Sequence, residues 1–137
     1  MRKLEHIGIA VNGLEEANRL FASLLGTEHY KVEEVESEKV RTSFFKVGDV
    51  KIELLEATDP ESPIAKFISK KGPGVHHLAF DVQDIESSLA ELRTKGFNVL
   101  NDTPKVGADN KLVAFVHPKS ASGVLVELCQ EREETEL

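Results

Sequence analysis

The sequence predicts an α+β fold built from two tandem β-α-β-β-β modules. Residues 4–11, LEHIGIAV, and 75–82, VHHLAFDV, align in register once His6 is set on His77: Ile7 falls on Leu78, Ile9 on Phe80 and Val11 on Val82. Both segments are short and rich in strand formers. Each runs into an apolar pattern of spacing three and four that stops at a glycine, and further strand-like runs follow. The offset from His6 to His77 is 71 residues, which suits a duplicated module better than a solenoid unit.

In order along the chain, the first strand is LEHIGIAV. Leu14, Ala17, Leu20, Phe21, Leu24 and Leu25 then recur at helical spacing, and Gly26 closes the run. Lys39–Val47 and Val50–Leu55 read as strands joined by a Gly48-Asp49 turn. The link Ala57–Gly74 is broken by Pro60, Pro63, Gly72, Pro73 and Gly74, with Ile64, Ala65, Phe67 and Ile68 predicting one short helix between the breakers. The second module opens on VHHLAFDV. It continues in a helix carrying Ile85, Leu89 and Leu92, closed by Gly96. Strands are predicted at Asn98–Leu100, Val113–Val116 and Val124–Leu128, with Gly123 marking a tight connection. The acidic tail Glu131–Leu137 is expected to fray. The whole chain, 1–137, reads as a single domain of two repeats, about 1–57 and 74–131, with a linker over 58–73.

Composition narrows the function. No apolar run approaches the roughly 20 residues a bilayer requires, so no membrane partner is expected. MRKLEHIGIAV has two basic residues but only a short apolar stretch and no small-residue cleavage site, so it does not read as a signal peptide. The single cysteine, Cys129, excludes an internal disulfide framework and a multi-cysteine zinc or iron–sulfur site. With 24 acidic against 17 basic residues the net charge is −7, which argues against nucleic acid while leaving room for a local basic pocket. A cytoplasmic protein is expected.

The chemistry-bearing residues sit at equivalent places. His6 and His77 occupy the first strand of each module; Glu53 and Glu127 occupy the last, in KIELLE and LVELCQ. The His-to-Glu separations are 47 and 50 residues. If the modules pack as related units, two imidazoles and two carboxylates can converge as ligands of an octahedral divalent ion with two open positions. Adjacent strand residues point to opposite faces, so only one of His76 and His77 can enter such a site, and the repeat selects His77. A lone strand histidine is ordinarily structural, and a Glu flanked by Ile52 and Leu54 is ordinarily the wet face of an amphipathic strand. The fourfold match across the repeat is what favours a metal.

These residues resemble the vicinal oxygen chelate superfamily, and within it the methylmalonyl-CoA epimerase family. The matching stretches are LEHIGIAV, VGDVKIELLEATDPESPIAKFI, GPGVHHLAFDV and PKVGADNKLVAFVHPKSASGVLVEL, which run through nearly the whole chain. The resemblance implies paired modules forming a curved, partly closed mixed sheet around a metal site, and a homodimer. It implies Co2+ or Mn2+ as cofactor, with Ni2+, Zn2+ or Fe2+ as alternatives, and His6, Glu53, His77 and Glu127 as ligands. The second ligand is often Gln in the epimerases; Glu53 here moves the set toward metal-dependent glyoxalase I. The implied substrate is an acyl-CoA, and the implied reaction links propionate metabolism to a mutase that uses the other epimer.

Inverting C2 requires a proton acceptor on one face and a donor on the other. Glu127 is the first candidate, beside its role as ligand. Lys105, in PKVG, matches a lysine position of the family and is the second. The third-strand position at which some epimerases carry Glu is Thr42 here, which cannot act as a base; Glu36 and Glu38 lie nearby. His117 and Lys119, in HPKS, can face the acyl or CoA group or simply build a turn. Two other functions stay open: a glyoxalase I-like isomerase, and a metal-free small-ligand-binding module. An extradiol dioxygenase needs only two histidines and one carboxylate with redox-active iron, and the chain is short for that group.

Overall fold

The computed structural model describes residues 1–132. They form eight strands and three α-helices, the α+β class, in two compact units. One spans His6–His76; the other joins Met1–Glu5 to the chain from His77 onward. The residues 133–137 of the acidic tail lie outside the described residues.

The first unit contains β1 (Lys3–Ala10, from His6), α1 (Leu14–Leu25), β2 (Lys31–Val35), β3 (Val40–Val47), β4 (Val50–Ala57) and α2 (Pro63–Lys71). Its strands run in the order β2-β3-β4-β1, with β4 parallel to β1 and antiparallel to β3. The β3–β4 hairpin turns on Gly48-Asp49 as expected, with Gly48 at φ +60, the left-handed value that a two-residue hairpin of type II′ asks of its first central residue. The β-α-β-β-β module calls for a third strand after the helix, one that the sequence pattern leaves unplaced; it is β2, which adds antiparallel to β3 from Lys31 opposite Phe44 to Val35 opposite Val40.

Strand alternation gives this sheet two different faces. Ile9, Val11, Phe45, Ile52 and Leu54 pack against α1 through Leu14, Ala17, Phe21 and Leu25. Leu20 and Leu24, read from spacing as part of the same stripe, lie a row away and are 60% and 70% exposed. The opposite face carries Ala10, Val40 and Leu55 under Ile64, Phe67 and Ile68 of α2. No local side chain caps α1, whose N-cap is Gly13; instead the Leu14 N–H donates to Glu56 Oε2 of β4 at 3.1 Å, placing a carboxylate at the positive end of the helix. Gly26 ends α1 in the left-handed conformation, its N–H on Ala22 O. Ser62 and Pro63 start α2, with Ser62 Oγ accepting from the Ile64 N–H.

The second unit contains β5 (Gly74–Asp81, from His77), α3 (Ile85–Thr94), β6 (Lys105–Val106), β7 (Lys111–Val116) and β8 (Val126–Glu131). Its order, β5-β8-β7-β6, repeats that of the first unit: β8 is parallel to β5 and antiparallel to β7. Ile85 and Leu89 of α3 pack with Ala114, Val116 and Leu128. Asp84 caps α3, accepting from the Ser87 N–H. The expected strand at Asn98–Leu100 is not one. It makes a single bridge, Val99 with Val116, because Asn101 takes the Phe115 N–H with its side chain and the chain turns away there.

Candidate functional site

Each unit builds the same pair. In the first, the parallel register sets Gly8 opposite Glu53, and His6 lies two residues before Gly8 on the same face. His6 Nδ1 is 3.1 Å from Glu53 Oε2, with both residues 4% exposed. In the second, Ala79 is opposite Glu127 and His77 lies two residues before Ala79. His77 Nε2 is 3.4 Å from Glu127 Oε1, with both residues 6% exposed. The repeat read from LEHIGIAV and VHHLAFDV is therefore a repeat of register.

These pairs suit metal ligation. Ligands at neighbouring corners of an octahedron, each about 2.1 Å from the ion, stand about 3 Å apart. The observed separations match that spacing, and 3.4 Å is long for an N–H···O hydrogen bond. A buried carboxylate also needs a compensating charge, which a divalent ion supplies.

His76 and His77 separate as alternation requires. His77 packs edge-on to Phe115, with ring centroids 6.2 Å apart; His76 packs edge-on to Phe67 of α2 at 5.0 Å. Burial, and after it the nearby Lys71 charge, pushes the His76 pKa down to about 4, so this ring is neutral near neutrality. Cys129 is fully buried; desolvation first, then the Glu127 and Glu5 charges, raise its thiol pKa, so it stays protonated and inert.

Lys105 is exposed on β6 opposite Val113, on the face that also carries Phe115 and Glu127. Its ammonium lies 6.0 Å from the Phe115 ring centroid. Thr42 is buried on the His6–Glu53 face, opposite Leu55, and its hydroxyl finds no hydrogen-bond partner among the described residues. Glu36 and Glu38 form a one-turn 3-10 segment ahead of β3, off the sheet face. His117 Nδ1 accepts the Lys119 N–H at 3.0 Å and so builds a turn.

Two aromatic residues were not singled out from the sequence. Phe44 of β3 is directly opposite Glu53, and Phe115 of β7 is directly opposite Glu127. Each is the apolar floor beside its carboxylate. Their signal was available, since both occupy the strand preceding the Glu strand, but it resembles ordinary core patterning.

The family described as Glyoxalase/Bleomycin resistance protein/Dioxygenase superfamily matches residues 5–115. The mitochondrial methylmalonyl-CoA epimerase of Mus musculus is 37% identical over 129 residues, covering 93% of this chain and 72% of its own. The ethylmalonyl-CoA/methylmalonyl-CoA epimerase of Cereibacter sphaeroides is 38% identical over 130 residues, 93% of this chain and 97% of its own. Among solved structures, the Streptomyces coelicolor methylmalonyl-CoA epimerase in complex with 2-nitronate-propionyl-CoA superposes with a TM-score of 0.93 at 34% identity, over 97% of this chain and 99% of that one.

Proposed function

Because the chain belongs to the glyoxalase/bleomycin resistance protein/dioxygenase superfamily, we propose that it is an isomerase interconverting (R)- and (S)-methylmalonyl-CoA. Its likeness to methylmalonyl-CoA epimerases along nearly the whole chain supports the substrate. The observation that carries the reading is the buried His–Glu pair present in both repeats in one register.

In this proposal His6, Glu53, His77 and Glu127 hold one divalent ion, Co2+ or Mn2+, within a single domain of two repeats. When bound, the ion supplies positive charge beside the substrate oxygens on which negative charge develops as C2 loses its proton. The chain does the rest. The buried Glu127 carboxylate accepts the C2 proton on one face, and Lys105 returns a proton on the other. Phe44 and Phe115 exclude water beside the two carboxylates.

The test is to give the purified protein (S)-methylmalonyl-CoA, after chelation and after adding back Mn2+ or Co2+, and to follow the (R) epimer by chiral analysis. The expected result is metal-dependent formation of an equal mixture. Glu53 gives a reason to test a second reading, the glyoxalase I-like one. Isomerisation of a glutathione hemithioacetal, with methylmalonyl-CoA untouched, would establish that alternative instead.

The protein is further proposed to act as a homodimer in the cytoplasm. The apolar side chains Leu20 and Leu24 on the outer side of α1 support a partner surface, and the single reduced Cys129 is compatible with a reducing compartment. No helix of the described residues is long and apolar enough to cross a membrane. Sedimentation is expected to give about twice the 15.2 kDa chain mass; a mass near 15.2 kDa at micromolar concentration would refute the dimer.

A further inference from the structure

The side chains that flank the His–Glu pairs repeat as well. In the second unit a row crosses one face of the sheet: Lys105 on β6, Phe115 on β7, Glu127 on β8 and His77 on β5. Lys105 stands over the Phe115 ring, Phe115 is opposite Glu127, and His77 meets both. In the first unit Lys31 on β2 is directly opposite Phe44, Phe44 is opposite Glu53, and Glu53 meets His6. The Lys31 ammonium lies 4.5 Å from the Phe44 ring centroid, closer than its counterpart and well inside cation–π range. Each unit therefore sets a lysine ammonium over the Phe that is opposite its Glu, although the strand registers differ: Lys31 is directly opposite Phe44, whereas Lys105 is opposite Val113, two residues before Phe115.

We propose that Lys31, held over Phe44 as Lys105 is held over Phe115, is a substrate-contacting residue, and that its ammonium binds an anionic oxygen of the acyl-CoA substrate. Strands about 4.8 Å apart put the Lys31 backbone about 10 Å from that of Glu53, a distance a four-carbon stem reaching over Phe44 largely spans. The Lys31 side chain is 36% exposed, so the ammonium keeps contact with solvent and with an arriving anion. Glu33, two residues on along β2, is 3.5 Å from Lys31 Nζ. It is a surface-type partner that an anionic substrate oxygen can replace at little cost. The aromatic face limits where the ammonium can go, lowering the entropy lost when it binds the anion. No proton is transferred in this contact; Lys31 acts as a fixed cation.

This inference rests on the acyl-CoA reading of the same site. Its test is Lys31→Met, which keeps the apolar stem and removes the charge, assayed beside Lys31→Arg and Glu33→Gln with metal present. A hydrogen bond to a charged group gives an expected loss of about tenfold in kcat/KM for Lys31→Met, carried mainly by KM. Lys31→Arg recovers most of it, and Glu33→Gln leaves KM equal or lower. Direct binding of methylmalonyl-CoA by calorimetry weakens by the same factor. If the wild type epimerises methylmalonyl-CoA and Lys31→Met changes kcat/KM and binding less than twofold, the inference is wrong and the epimerase reading stands. A loss that Lys31→Arg does not recover, accompanied by a lowered melting temperature, also overturns it by assigning Lys31 to the fold alone. A wild type that turns over no methylmalonyl-CoA fails the parent reading instead.

Discussion

His77→Ala is expected to yield a folded protein that neither retains stoichiometric metal nor epimerises. The substitution removes one of the proposed ligands and leaves the Glu127 carboxylate, at 6% exposure, without its neighbour at 3.4 Å. A three-ligand remnant binds the ion weakly. The positive charge that offsets the developing negative charge is then absent, and its several kcal/mol correspond to a rate loss of about 10³-fold or more. His76→Ala is the matched control. Its ring packs on Phe67 and is held neutral by burial, so its removal costs packing and leaves metal content intact. Metal analysis of the two variants after dialysis checks the pair. Equal metal content in both would remove His77 from the ligand set.

Lys105→Ala is expected to keep the metal and slow turnover by about 10²–10⁴-fold, the usual cost of losing a general acid or base. The loss should be one-sided. With separate proton carriers on the two faces of C2, removing one blocks exchange from one epimer and spares the other. Single-turnover wash-out of the C2 hydrogen from each epimer measures this directly. Symmetrical slowing explained by weaker substrate binding would make Lys105 a binding residue and return the search to Glu36, Glu38 or a bound water.

Much of this arrangement was legible in the sequence because strands carry a period of two. Setting His6 on His77 fixed the faces of β1 and β5, and the Glu positions followed from similar separations, 47 and 50 residues. The glycine and proline breakers located α1, the Gly48-Asp49 hairpin and the short α2. What escaped has physical causes. The strand β2, KVEEV, carries charged residues along the outer edge of its unit, and an edge strand needs no apolar run to pair. Asn98–Leu100 is apolar enough to look like a strand, yet it makes only two backbone bonds there, Leu100 N–H to Phe115 O of β7 and His117 N–H, just past β7, to Asn98 O. Leu20 and Leu24 fit a helical period without being buried, since spacing fixes a row on the helix but not which row meets the sheet. The Lys-Phe contacts have no sequence period, because each joins residues of different strands. They emerge only once Lys31 is placed opposite Phe44 and Lys105 is placed over Phe115.

In the proposed reaction the metal-loaded protein abstracts and returns a proton at C2 of methylmalonyl-CoA. Incubating a single epimer in deuterated water, with the protein stripped of metal and then reloaded, and reading the C2 position by mass spectrometry detects that exchange. One deuterium per molecule should enter at C2 at the rate at which the other epimer forms, in the loaded protein and not in the stripped one. Inversion without deuterium, or deuterium uptake indifferent to metal, would refute metal-assisted proton exchange at C2.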